Sequence, residues 1–492
     1  MRAGGPDAIV VGSGPNGLAA AITLARAGHS VHVYEAAATI GGGTRTEELT
    51  LPGFQHDVCA TIVPLAAASP FFRSIDLAAN GAELIQPDAP VVHALDGGRA
   101  AVLERSIEAM TAGIGGAPDG APGGTPDGRA VADGRAWRRL FGPLARDADK
   151  LGRELLGPVV HLPRHPIALA RFGLPALASA TGLARAAFRG DDARALFGGL
   201  AAHSMVDLGR PLSASFGLVL GLYAHAAGWP LVRGGSAAIG AALAAELRSL
   251  GGEIETDRLV TSLADLPPSR AVLLDVTPRA AVAIAGDRLP ARTRRAYERF
   301  RYGPGIFKLD WALDGPVPWA SDGARRAATV HLGGTLAEIA ASEREVARGR
   351  HPDRPFVILV QYDAWDPSRA PAGKATAWAY CHVPAGSTVD MTERIEAQVE
   401  RFAPGFRDRI LARSTHSPAA MEVHDPNYIG GDINAGIQDI RQLIFRPRIA
   451  LDPYWTGAPG LYLCSSSTPP GGGAHGMAGF HAARSALRRE FR

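Results

Sequence analysis

Apolar and polar positions follow three rhythms along this chain. Residues 8–11, Ala-Ile-Val-Val, form a short apolar run that stops at a glycine cluster, as a buried strand does. Strong helix formers follow from Leu18 to Ala25, and Gly28 stands where a helix would stop. Residues 30–35 then alternate, Ser-Val-His-Val-Tyr-Glu, which predicts a second strand ending on a carboxylate. Far downstream the same strand signal returns at Ala271-Val-Leu-Leu, cut off by Asp275 and Pro278, and again at Leu461-Tyr-Leu-Cys464. Residues 137–227 read as helical, with arginines interspersed among Leu and Ala, whereas 306–313, 356–362 and 375–383 read as strands. Residues 112–135 are rich in Gly, Pro, Asp and Ala, bury little apolar surface, and predict a flexible surface insertion.

The first glycine cluster has a physical reason at each position. Gly12 permits a tight turn, Gly14 lets backbone approach a pyrophosphate, and Gly17 lets the helix pack close to its strand. Pro15 and Asn16 open the helix, whose N-terminal N–H groups and partial positive charge suit phosphate. Glu35 arrives about twenty residues after the glycines, where a carboxylate accepts from ribose hydroxyls and repels a 2′-phosphate. A lone glycine signature also fits an ordinary strand-to-helix turn. Here the strand before it, the helix after it and the acidic strand end all agree on a dinucleotide site.

Four further segments carry a resemblance. After the second strand come Gly41-Gly-Gly43-Thr44-Arg45, then Pro52-Gly-Phe54 and Asp57; near the end come Phe445-Arg-Pro447 and Pro470-Gly-Gly-Gly-Ala-His475-Gly476-Met477. In these the chain resembles the phytoene desaturase-related branch of FAD-dependent oxidoreductases, within the amine oxidase and phytoene dehydrogenase superfamily. The resemblance implies non-covalent FAD, with Gly42, Gly43, Thr44 and Arg45 toward the flavin half and Val260 offering backbone to the adenine. It also places Ser466 at the cofactor, and Gly476 and Met477 at the start of a helix aimed at the flavin ring. Ser465, Ser466 and Ser467 stand where relatives usually carry a glycine after the cysteine. The fold expected is α/β: a Rossmann-like FAD-binding domain built from 1–70, 229–285 and 455–492. A discontinuous mixed α+β substrate domain takes 71–228 and 286–454, with its helical part at 137–227 and its sheet part at 300–390.

Composition narrows the chemistry. A formal net charge of +3 over 492 residues gives no basic patch for nucleic acid. Three widely spaced cysteines provide neither a disulfide framework, a zinc site nor a Cys-x-x-Cys dithiol relay, so no metal is expected. Gly234-Gly235 to Gly240 lacks the context of a second nucleotide turn. Residues 211–232 lack Asp, Glu, Lys and Arg but are broken by glycines and Gly-Trp-Pro, which predicts a buried helix beside a substrate tunnel. With no leader read at the start of the chain, a cytoplasmic protein is expected, and peripheral membrane contact stays open.

Two residues are candidates for chemistry. Lys308 falls on a strand of the substrate domain, and in related amine oxidases a strand lysine can hold water near flavin N5; a solvated edge lysine is the alternative. His475 sits inside the last glycine loop with a titration range suited to proton transfer, or else it only shapes that loop. The activity expected is FAD-dependent dehydrogenation, or desaturation, of a largely apolar small molecule by hydride transfer to flavin N5, with oxygen or a quinone as electron acceptor. A redox-neutral flavin-dependent isomerase of a polyene is a second reading. A non-catalytic binding protein on the same fold, like the Rab escort and GDP-dissociation inhibitor proteins, is a third.

Overall fold

Five parallel strands form one sheet, in the order Leu461–Leu463, Ala271–Leu274, Ala8–Val11, Val31–Tyr34 and Glu253–Glu255. The computed structural model describes residues 5–114 and 128–492. Both faces of the sheet are covered, which is why Ala8–Val11 and Ala271–Leu274 read as unbroken apolar runs, whereas Val31–Tyr34 alternates and the edge strand Glu253–Glu255 is polar. Ala8 and Val10 pack under helices Pro15–Arg26, Ala237–Ser249 and Met477–Glu490, whereas Ile9 and Val11 pack against Ala281 and Ile284 of helix Pro278–Ala285. Helices Pro15–Arg26 and Met477–Glu490 touch so closely that a Cβ on Gly479 would lie 1.7 Å from the Asn16 carbonyl oxygen. The first and last helices are thus held together by a missing side chain.

A second, seven-stranded sheet runs Ile410–His416, Gly305–Leu313, Ala375–Val383, Val357–Gln361, Ala327–Leu332, Ala89–Ala94, Ala100–Leu103. It is antiparallel except where Ala327–Leu332 pairs with Ala89–Ala94. One face carries helix Thr392–Phe402 through Ile395 and Val399. The other carries a helical layer whose core includes Trp137, Phe141, Phe197, Phe356 and Ile358. Fully burying one such aromatic or aliphatic side chain is worth about 1.5–3 kcal/mol.

The expected insertion needs adjusting. Residues 128–135, read as part of it, are the opening turns of helix Gly128–Arg146. Tertiary contacts stabilise those turns: Asp133 is buried and accepts the N–H groups of Arg189 and Gly190, each at 2.7 Å. Residues 115–127 of that expected insertion lie outside the described residues. The uncharged 211–232 stretch contains helix Ala214–Ala226, and among the described residues no single helix is long and apolar enough to cross a membrane.

Candidate functional site

The C-terminal ends of the parallel strands open onto one continuous cavity of about 1170 Å³. That exceeds the roughly 300–1,000 Å³ typical for one drug-sized ligand. Its position outside the carboxyl ends of the strands is where open α/β sheets bind ligands. Gly12, Gly14, Pro15, Asn16 and Glu35 line it, and so do Gly42, Gly43, Thr44 and Arg45. Val260 and Ser466 join them from distant parts of the chain. Asn16 Nδ2 donates to Ser466 Oγ at 3.1 Å, tying the first glycine turn to the last strand's loop. Gly17 stays behind the wall, where a Cβ would sit 2.1 Å from the Gly12 carbonyl oxygen.

Glu35 closes strand Val31–Tyr34 and accepts from Ser13 N at 2.9 Å, Ser13 Oγ at 2.6 Å and Ala37 N at 2.9 Å. Arg45 Nη2 lies 3.5 Å from it, and the buried Arg45 Nε has no hydrogen-bond partner. The segment bearing Gly42 and Gly43 is pressed between two others. A Cβ on Gly42 would be 3.1 Å from Gly14 Cα, and one on Gly43 would be 2.3 Å from Tyr428 Oη. The two glycine clusters therefore form one backbone-lined cradle. Helix Pro15–Arg26 begins there with no side-chain cap.

Sequence reasoning misses Asp275 as a site residue. It follows strand Ala271–Leu274, lines the cavity, and accepts the Gly17 N–H at 2.7 Å through Oδ2. Burial pushes its carboxyl up to about 8, helped by the charges of Asp425 and Glu35 and opposed by the Gly17 hydrogen bond. An acid ending the strand beside a glycine turn was the available signal. Only the sheet order shows that the two are neighbours.

The two catalytic candidates fall in different places. Lys308 is buried on strand Gly305–Leu313, not solvated, and is held at 2.5 Å by both oxygens of Asp310. It does not line the cavity; its Nζ lies 5.2 Å from the Trp378 ring, which does. His475 lines the cavity, yet both ring nitrogens are taken by backbone. Nε2 lies 3.1 Å from the Gly471 carbonyl oxygen, and Nδ1 accepts from Met477 N at 3.1 Å. Burial lowers its pKa to about 4, against the weaker pull of the Gly471 bond, so the titration range expected from its residue type is displaced. The loop-shaping role fits this geometry. Gly476 and Met477 stand just behind the wall, which at this point is made by Gly472, Gly473, Ala474 and His475.

The other end of the cavity is apolar. Phe172, Leu177, Phe216, Leu220, Ile358 and Trp378 are among its walls, drawn from the helical layer and the second sheet. Among the described residues, the charged groups that line the cavity are Glu35, Arg45, Arg258, Asp275 and Asp425, all at the end beside the glycine turns. Polar groups at the apolar end include His203, Thr329 and Tyr380. Among the described residues no group of His, Cys, Asp and Glu forms a metal site.

The fold thus joins a Rossmann-type parallel sheet to a second, mostly antiparallel sheet domain, with the cavity opening at the strand ends. The family model for NAD(P)-binding Rossmann-like domains matches residues 10–75. A mouse protein, pyridine nucleotide-disulfide oxidoreductase domain-containing protein 2, is 25% identical over 98% of this chain and 93% of its own length. One component of the limonene dehydrogenase of Castellaniella defragrans is 34% identical over 21% of this chain and 19% of its own length. A solved putrescine oxidase bound to putrescine superposes with a TM-score of 0.64 at 18% identity, covering 99% of each chain. The chain thus shares the fold of that oxidase.

Proposed function

We propose that this protein is an FAD-dependent oxidoreductase of the phytoene desaturase-related kind, which dehydrogenates a largely apolar small molecule. The observation that carries this reading is the continuous cavity, running from the Gly12 turn and Glu35 to a chamber where no described wall residue is charged. Its residues fit a non-covalent dinucleotide. The backbone cradle of Gly12, Gly14 and Gly42 has no room for side chains, and the uncapped helix beginning at Pro15 suits the pyrophosphate. Glu35 would take the adenosine ribose, Val260 the adenine, and Gly43 to Arg45 with Ser466 the flavin half.

When bound, FAD supplies a two-electron oxidant; the protein supplies position and dryness. The helical layer and the second sheet exclude water from the chamber, and the neutral His475 keeps the Gly471 to Gly473 loop in shape. Oxygen or a quinone would take up the electrons, in a cytoplasmic setting. A chamber without a carboxylate is a poor host for an ammonium group, whose burial without a partner is costly. That favours a substrate nearer to limonene, named for one relative, than to putrescine, named for another.

An absorption spectrum of the purified protein tests the reading. A flavin spectrum, lost in Gly14→Val, is expected, because a side chain at 14 would start 2.9 Å from Asp275 Oδ2 and fill the cradle. Anaerobic bleaching by an apolar substrate, with product formed in step, separates dehydrogenation from isomerisation. Colourless protein that rejects added FAD would refute the proposal and favour a binding role.

A further inference from the structure

Ten of the fifteen large hydrophobic side chains that stand exposed among the described residues fall in two short stretches, 159–177 and 440–451. Leu162 and Leu451 are the extremes, 91% and 88% exposed on separate loops. The two stretches meet, because Pro158, Val159 and Val160 share a small surface cleft with Ile444, Phe445 and Ala450. Helix Pro166–Ala176 buries Ala168, Phe172 and Ala176, yet it also turns Ile167, Ala170 and Leu174 outward at spacings of three and four. A surface helix ordinarily keeps its apolar residues for the core side; this one carries them on both.

This face is continuous with the apolar chamber. Val159 and Leu177 are exposed and also line the cavity, as do the half-buried Leu169, Gly173, Leu443 and Ile444. Its flanking charge is one-sided. Every acid in 145–177 and 436–453 is engaged: Asp147 with Lys150, Asp149 with Arg73, Glu154 with His161 and His165, Asp439 with Arg301, and Asp452 with Ser485. The exposed Arg164 and Arg441 have no partner for their guanidinium groups among the described residues. Self-association about a two-fold axis would press these arginines toward their own copies, with no acid free to receive them. An anionic lipid surface answers both needs, taking the leucines among its acyl chains and the arginines at its phosphates.

We propose that this face docks on an anionic lipid bilayer, with Leu162 and Leu451 dipping below the headgroups and the cavity rim at Val159 and Leu177 turned to the lipid. Among the described residues no single helix is long and apolar enough to cross a membrane, so the attachment is in-plane and reversible. An apolar substrate concentrates in a bilayer, and a mouth held against lipid lets it reach the chamber without passing through water. That consequence rests on the oxidoreductase reading. The docking itself rests only on the surface.

Flotation of the purified full chain with vesicles tests this. Wild type should rise with vesicles of phosphatidylcholine and phosphatidylglycerol, and much less with phosphatidylcholine alone or in high salt. Leu162→Glu combined with Leu451→Glu, at two side chains that bury almost nothing, should lower vesicle affinity at least about tenfold. Arg164→Gln and Arg441→Gln should each lower it about fivefold, on anionic vesicles only. Leu411→Glu, on the edge strand Ile410–His416 away from both stretches, should change nothing. Leu177→Trp should gain fluorescence quenching by brominated lipid over wild type. Wild type that stays in the soluble fraction, full binding by the double leucine variant, or no added quenching in Leu177→Trp would each overturn the proposal. So would a lipid-independent dimer, seen by ultracentrifugation, that Leu162→Glu dissociates, since a second copy would then be the occupant. The flavin absorbance of the floated protein reports separately: colourless protein that still floats refutes the oxidoreductase reading and leaves the docking standing.

Discussion

Replacing Asp275 by Asn should stabilise the protein, and the gain should depend on pH. The carboxyl titrates near 3.8 in an unfolded chain and is pushed up to about 8 in the folded one, first by burial and then by Asp425 and Glu35. Folding thus takes up a proton between those values. The stability linked to this group is fully present below about pH 4, falls as pH rises, and levels off above about pH 8. At about 1.4 kcal/mol per unit, the native Asp costs up to about 4 kcal/mol at pH 7. Water in the cavity makes that an upper bound. Asn keeps an oxygen to accept the Gly17 N–H, now 2.7 Å from Oδ2, and removes the titration. Urea midpoints of wild type and Asp275→Asn, measured in parallel at pH 4, 6 and 8.5, should nearly coincide at the lowest pH and diverge as pH rises. FAD should also be retained more firmly by the variant at pH 8.5, because a carboxylate at 275 would oppose the pyrophosphate. A difference between the two proteins that stays constant across pH would refute the assignment of a raised pKa to this residue.

Lys308→Met removes the ammonium from the buried Asp310, leaving it His56 at 3.3 Å and His416 at 3.5 Å, and should destabilise the protein by about 3 kcal/mol; pairing it with Asp310→Leu should restore much of the loss in thermal melts. Gly479→Val forces a side chain toward the Asn16 carbonyl and should cost at least the roughly 1–3 kcal/mol of overpacking, seen as a lower melting temperature together with weaker cofactor retention. Glu154 is held down to about 2: burial raises its carboxyl, but the bonds from His161, His165 and the Arg164 and His165 N–H groups outweigh that. Its stabilisation should therefore be present above about pH 4.5 and lost as pH falls toward 2, and Glu154→Gln should flatten that acid limb in a pH series of melts.

The legible parts of this protein are those whose chemistry is local. The Gly12 turn, helix Pro15–Arg26 and Glu35 form one short strand, turn, helix, strand unit, so spacing alone carries their geometry. The strands at 305–313, 357–361 and 375–383 were legible for the same reason, being long apolar segments between Gly and Pro breaks. Errors arose where tertiary contacts decide. Residues 128–135 carry glycine and alanine that average into a loop signal, yet the buried Asp133 anchors them as helix. The two-residue period of a strand puts Asp310 on the same face as Lys308, but does not say that this face is buried, so that the two must satisfy each other. At the last loop, the αL turn at Gly476 moves the lining back to Gly472, Gly473, Ala474 and His475, a shift of a few residues that no spacing argument resolves.

The least legible element is the one that separates this cavity from an amine site on the same fold. Charge at the nucleotide end comes from residues inside compact motifs, but the neutrality of the chamber is a property of walls contributed by residues 172–220 and 329–380. One buried carboxylate among them would cost several kcal/mol unless a cation met it, and the described residues that wall the chamber include none. With no acid among the described walls, discrimination would fall to neutral hydrogen bonds from lining groups such as His203 and Tyr380.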